Sequence, residues 1–197
     1  MIECLLWDFG DTLCDELSLW RSSPEWMGVY HSFFTADGIG AAWSLGELDA
    51  AEVAVILGQR MSLSEAEILE HFSRVDLFDF FPFTYGFFRA RHLPQAVVTV
   101  NPAIFRRMAA SLGLDEVVDV IVVSGEEGTV DKGVLCELAL ERLPMTCANG
   151  QALLIDNKQS NLDDWAARGG PGYLFTTDET FQHDVAEGVA GLHGPAS

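Results

Sequence analysis

Positive charge is scarce in this chain of 197 residues: 11 Lys and Arg stand against 30 Asp and Glu, a formal net charge of −19 at pH 7. Coulomb repulsion of that sign opposes phosphate backbones and anionic lipid, so neither nucleic acid nor a membrane is expected as a partner. An anionic small molecule would need a local cation, a helix N-terminus or a metal to bind against such a field. Long apolar runs are also missing, and none approaches the roughly 20 residues that span a bilayer. The first residues carry no basic segment followed by an apolar stretch and a small-residue cleavage site, so the expected location is the cytoplasm. Cysteine is sparse. Cys4, Cys14, Cys136 and Cys147 form no Cys-x-x-Cys pair and lie in or beside apolar segments. That pattern predicts free, buried thiols rather than disulfides or a zinc site.

What is present is globular: 49% of residues are hydrophobic and 21% charged, in a chain long enough to bury a substantial core. Ile2 to Trp7 is a short apolar run that ends in the acidic, glycine-containing turn Asp8-Phe9-Gly10-Asp11-Thr12-Leu13, which reads as a buried strand. Further strands are predicted at 95–100, 117–123, 152–155 and 172–176. Helices are predicted from Pro82 to about His92, between Pro102 and Gly113, from Lys132, and over 160–168 and 178–189. Strands alternating with helices define an α/β class, a doubly wound parallel sheet with right-handed crossovers. Between strand one and this regular region lies a purely helical stretch with segments at 25–36, 49–60 and 62–74, the last opened by a capping box of Ser62 and Glu65. The expected organisation is an α/β core of residues 1–14 plus 81–197, with an all-helical insert over 15–80 above the carboxyl end of strand one. Gly191 to Ser197 reads as a frayed tail.

Ligands in open α/β sheets bind outside the carboxyl ends of the strands. Polar residues collect there. Strand one delivers Asp8, strand two Thr99 and then Asn101, strand four Asp156 and Asn157, and the helix after strand three opens with Lys132. Singly, each has a structural alternative, as a turn former, a helix cap or a solvated lysine. Together they put two acidic positions, a hydroxyl and an ammonium at one sheet edge.

These elements, in this order, resemble the haloacid dehalogenase-like (HAD) hydrolase superfamily. Its first motif, an apolar strand ending Asp-x-Asp-Gly-Thr-Leu, is similar to Asp8 through Leu13; Ala96-Val97-Val98-Thr99 resembles its second, Lys132 its third, and Leu153 through Asn161 its fourth. The resemblance implies a Rossmann-like core with a C1 helical cap, and catalysis by Asp8, Thr99, Lys132 and Asp156. Asp8 would attack a phosphoryl group and form an aspartyl-phosphate, with Lys132 and Mg²⁺ offsetting the repulsion between carboxylate and anion. Thr99 and the backbone of Gly10 and Asp11 would hold phosphoryl oxygens. Asp156 would pair with Lys132. Asn101 and the cap residue Arg21 are candidates for contacting the substrate, and Asp8, the Gly10 carbonyl and Asn157 for holding Mg²⁺. The cap aromatics Trp20, Trp26 and Tyr30 read first as cap core.

Two departures bear on activity. The family's proton donor stands two residues after the nucleophile, where this chain has Gly10; Asp11 is displaced by one position and is expected to point away. General acid catalysis contributes about 10²–10⁴-fold, so its loss would slow reactions with poor leaving groups by that order. Asn157 replaces an acid that meets Mg²⁺, and a neutral amide oxygen attracts that ion less. The expected function is Mg²⁺-dependent hydrolysis of a small phosphate ester. A catalytically weak HAD-fold binding protein is the alternative, and dehalogenation of a 2-haloacid ranks third because that group's Asp-x-Tyr-Gly-Thr and Ser-Ser-Asn signatures are lacking.

Overall fold

The apolar run at the start of the chain forms the central strand of a parallel sheet. In a computed structural model describing residues 1–36, 38–90 and 93–192, the strands are β1 (Cys4–Trp7), β2 (Gln95–Thr99), β3 (Val120–Val123), β4 (Ala152–Asp156) and β5 (Gly172–Leu174). They pair in the order β3-β2-β1-β4-β5, all parallel. The expected α/β class with a doubly wound parallel sheet is therefore the observed one. Trp7 stands opposite Val97 on one side and Ile155 on the other. Because the chain winds outward from β1 in both directions, the crevice at the topological switch point opens beside the carboxyl end of β1.

Alternating side chains of β1 feed two cores. Leu5 and Trp7 join Phe87, Phe88, Phe105 and Phe181 on one face, while Cys4 and Leu6 meet Leu135, Cys136, Leu154 and Trp165 on the other. Both faces are covered by helices: α5 (Pro82–Ala90), α6 (Phe105–Ser111), α7 (Ser124–Glu127), α8 (Lys132–Arg142), α9 (Gln159–Ala166) and α10 (Asp178–Glu187) follow the helical stretch in sequence. That stretch contains α1 (Pro24–His31), α2 (Ile39–Ser44), α3 (Ala50–Met61) and α4 (Glu65–His71). It packs a cluster of its own around Trp20, Trp26, Phe33, Trp43, Leu57 and Phe72. All four cysteines are free and buried. No helix among the described residues is long and apolar enough to cross a membrane.

Several boundaries differ from those predicted. The capping box of α4 is built by Ser64 and Glu67, not Ser62 and Glu65, because Ser62 is spent terminating α3 in a left-handed conformation with φ 57°. The helix expected over 25–36 ends at His31 and continues as a π-helical turn over Ser32–Ala36. Val117 and Val118 are buried beside a 3₁₀ turn over Leu114–Glu116 rather than paired in β3. The loop after β3 closes into the short helix α7, stopped by Gly128 in the left-handed region. The predicted end of α5 at His92 and the tail after Leu192 lie outside the described residues.

The helical stretch meets the sheet edge at α7. The Ser124 hydroxyl lies 2.7 Å from the Ser44 carbonyl oxygen and 3.0 Å from that of Asn101. Gly46 has φ 74°, and a Cβ there would stand 2.2 Å from the Gly125 carbonyl oxygen. Gly46→Ala therefore adds left-handed strain to a backbone collision. We expect it to lower stability by about 2 kcal/mol, seen as a fall of roughly 4–8 °C in the thermal midpoint.

Candidate active site

Three residues from separate elements meet at the carboxyl end of the sheet. Asp8 directly follows β1 and donates its backbone N–H to Ile155 O at 2.9 Å, which sets it level with Asp156 at the end of β4. Between them lies Lys132 Nζ, 2.7 Å from Asp8 Oδ1 and 2.9 Å from Asp156 Oδ2, and donating to Val98 O at 2.6 Å. The Lys132 side chain is 0% exposed. Its position follows from the start of α8. Asp131 caps that helix by accepting from Val134 N at 3.0 Å, and Arg168 holds the same carboxylate at 3.1 Å.

The charges are unequal, two carboxylates to one ammonium. Burial disfavours the charged form of Lys132, but Asp8 and Asp156 outweigh it and hold the ammonium above its ordinary pKa. Burial pushes Asp8 upward, Lys132 pulls it back in part, and Asp156 adds to the rise. Asp156 is fixed by two further donors, Lys158 N at 2.8 Å and Asn161 Nδ2 at 2.9 Å. Lys132 occupies Asp8 Oδ1 and leaves Oδ2 for other partners.

The other predicted residues divide. Thr99 is buried at the end of β2, and its oxygen accepts from Asn101 Nδ2 at 2.7 Å, which leaves its O–H free to donate elsewhere. Gly10 and Asn101 line a cavity of about 80 Å³ between the sheet edge and the helical stretch, walled by Trp20, Phe34, Trp43, Phe72 and Phe105. Trp20 and Trp26 are in the helical stretch's core, as expected. Asp11 adopts φ 54° and accepts from Glu16 N at 2.9 Å, and it borders a separate surface recess together with Asn157. Arg21 is not brought to this group. Its guanidinium pairs with Asp15, is 55% exposed and does not line the cavity.

Three residues missed in the sequence also matter here. Thr12 Oγ1 and Asn157 Oδ1 are buried side-chain oxygens without a hydrogen-bond partner among the described residues, on the loops leaving the neighbouring strands β1 and β4. Of these, Asn157 was expected and Thr12 was not. Glu16 lines the cavity, and burial with Asp11, Asp8 and Asp15 raises its carboxyl above the ordinary range against the pull of Lys158. Lys158, exposed on the loop after β4, also draws the Asp8 carboxyl downward. Thr12 and Lys158 lie inside the quoted motifs, but Glu16 has no local signal.

No protein-family model and no curated protein sequence matches the chain. Solved structures do. A HAD family enzyme of Bacteroides thetaiotaomicron, crystallised with magnesium and inorganic phosphate, superposes with a TM-score of 0.72 at 14% identity over 93% of this chain and 98% of the other. L-2-haloacid dehalogenase of Xanthobacter autotrophicus, with chloropropionic acid covalently bound, gives 0.64 at 14% identity over 95% and 84%. A HAD phosphatase of Thermococcus onnurineus gives 0.61 at 17% over 89% and 86%. The chain therefore has the fold of HAD family enzymes.

Lys132→Met removes the cation that lies between two buried carboxylates. We expect unfolding in denaturant to show a loss of about 3–5 kcal/mol, whereas a solvated lysine would cost far less.

Proposed function

We propose that this chain is a HAD-type hydrolase, with residues 1–14 plus 81–197 as its core and 15–80 as a C1-type cap, and that it acts as a phosphatase on a small phosphate ester through Asp8. The observation that carries this reading is the buried ammonium of Lys132 joined to both Asp8 and Asp156. A carboxylate attacking an anion needs nearby positive charge, and here it is supplied within 3 Å by a residue that burial and two ion pairs hold in place. Lys132 engages Oδ1, so Oδ2 attacks phosphorus and the ester oxygen leaves. The Thr99 hydroxyl donates to a phosphoryl oxygen, and Asn101 fixes the rotamer from which it does so. Water then cleaves the acyl-phosphate on Asp8 and restores the carboxylate.

The orphaned amide oxygen of Asn157 supports a metal site, since a buried acceptor without a partner costs free energy that a cation would recover. Asp8, the Gly10 carbonyl and Asn157 would hold Mg²⁺, which supplies charge neutralisation for the phosphoryl group. Among the described residues no group of three His, Cys, Asp or Glu side chains is placed to bind a metal. The cavity lined by Gly10 and Asn101 borders the turn after Asp8 and has mostly apolar walls, which suits a small leaving group.

Dehalogenation has one favourable observation, because Gly10 and Asn157 remove acids that displacement of halide does not need. Halide release from 2-chloropropionate tests it directly. Phosphatase action predicts Mg²⁺-dependent release of phosphate from acetyl phosphate, reduced on the order of 10³-fold or more by Asp8→Asn. Halide release without phosphate release would replace the proposal. For the metal site, Asn157→Asp is expected to tighten Mg²⁺ binding on the order of tenfold by calorimetry. An unchanged dissociation constant would remove Asn157 from the ligand set.

A further inference from the structure

The position two residues after Asp8 has no side chain, yet the space beside it is filled. A Cβ built on Gly10 would stand 3.2 Å from Cδ and Cγ of Glu16 and 3.3 Å from its Cβ. The Glu16 side chain thus lies along the space that a side chain at position 10 would enter. The turn after β1 brings it there. Asp11 takes φ 54°, its N–H donates to Cys14 O at 2.7 Å, and its carboxylate accepts from Glu16 N at 2.9 Å. This closes the loop on itself and returns residue 16 to the level of residue 10.

The neighbouring acids are committed elsewhere. Asp11 caps Glu16 N, and Asp15 accepts from Leu17 N while pairing with Arg21. No hydrogen bond or ion pair among the described residues engages the Glu16 carboxylate, and Glu16 lines the same cavity as Gly10 and Asn101. A carboxyl with a free edge, held by its backbone against the nucleophile's turn and opening on a small apolar chamber, is suited to exchange a proton with a bound leaving group.

We propose that Glu16 is the general acid and base of this site, taking the role that Gly10 leaves vacant. This rests on the phosphatase reading. As Asp8 Oδ2 bonds to phosphorus, the bond from phosphorus to the ester oxygen breaks, and that oxygen takes the Glu16 proton to leave as an alcohol. In the second step the Glu16 carboxylate takes a proton from water as the water oxygen bonds to phosphorus. The bond between phosphorus and Asp8 breaks, phosphate departs, and both carboxyl groups return to their starting states.

Two substrates of similar size, an acyl phosphate and an alkyl ester, separate this from other roles. Acetate leaves acetyl phosphate without a proton, whereas ethanol leaves ethyl phosphate only with one. Glu16→Gln is expected to lower kcat/KM for ethyl phosphate in the 10²–10⁴-fold range and for acetyl phosphate by less than about tenfold. In Glu16→Ala, adding Gly10→Asp restores ethyl phosphate cleavage, because the removed side chain frees the space that the new one needs. Gly10→Asp alone crowds Glu16 and brings no such gain. Thermal midpoints close to that of the parent establish that the variants are folded. Equal loss on both substrates in folded Glu16→Gln, no loss on either, or no rescue by Gly10→Asp would each overturn the role of Glu16 alone. Absence of phosphate release from acetyl phosphate by the unaltered chain would instead remove the phosphatase reading, and this role with it.

Discussion

The rest of the site depends on one buried ammonium. Lys132 is fully removed from solvent, and its charge is tolerable only because Asp8, Asp156 and the Val98 carbonyl surround it. Removing such ions from water costs several kcal/mol each, so the cluster does not exist to make the fold stable. It ties together the ends of β2, β1 and β4, strands that are neighbours in space and far apart in sequence. In doing so it fixes which carboxylate oxygen is free.

The same constraint accounts for the supporting residues. Asp131 starts α8 at the point that delivers Lys132, and Asn161 holds Asp156 so that its second oxygen meets the ammonium. The helical stretch contributes aromatic walls to a small chamber over Gly10 and Asn101, and joins the core through a glycine contact too tight for any side chain. In a chain carrying a net charge of −19, Lys132 places one ammonium between the two carboxylates at the strand ends.

Most of the fold was legible because parallel strands buried on both faces read as unbroken apolar runs and the helices between them carry their own start and stop residues. The errors fell where two local signals competed. Ser62 and Ser64 both precede a Glu by three residues, and only the left-handed end of α3 decides which of them caps α4. Arg21 looked available for an anion, but Asp15, six residues earlier, takes its charge.

The sequence by itself determined the class of fold and the residues at the strand ends, since Asp8, Thr99, Lys132 and Asp156 are each marked by the end of an apolar run or the start of a helix. Tertiary structure decided what those residues face. Parallel register sets Asp8 level with Asp156, and α8 inserts Lys132 between them, neither of which spacing along the chain can state. It also decided that Glu16, with no motif to mark it, returns to the side of Gly10, because the turn at Asp11 is closed by hydrogen bonds that only the folded loop can form.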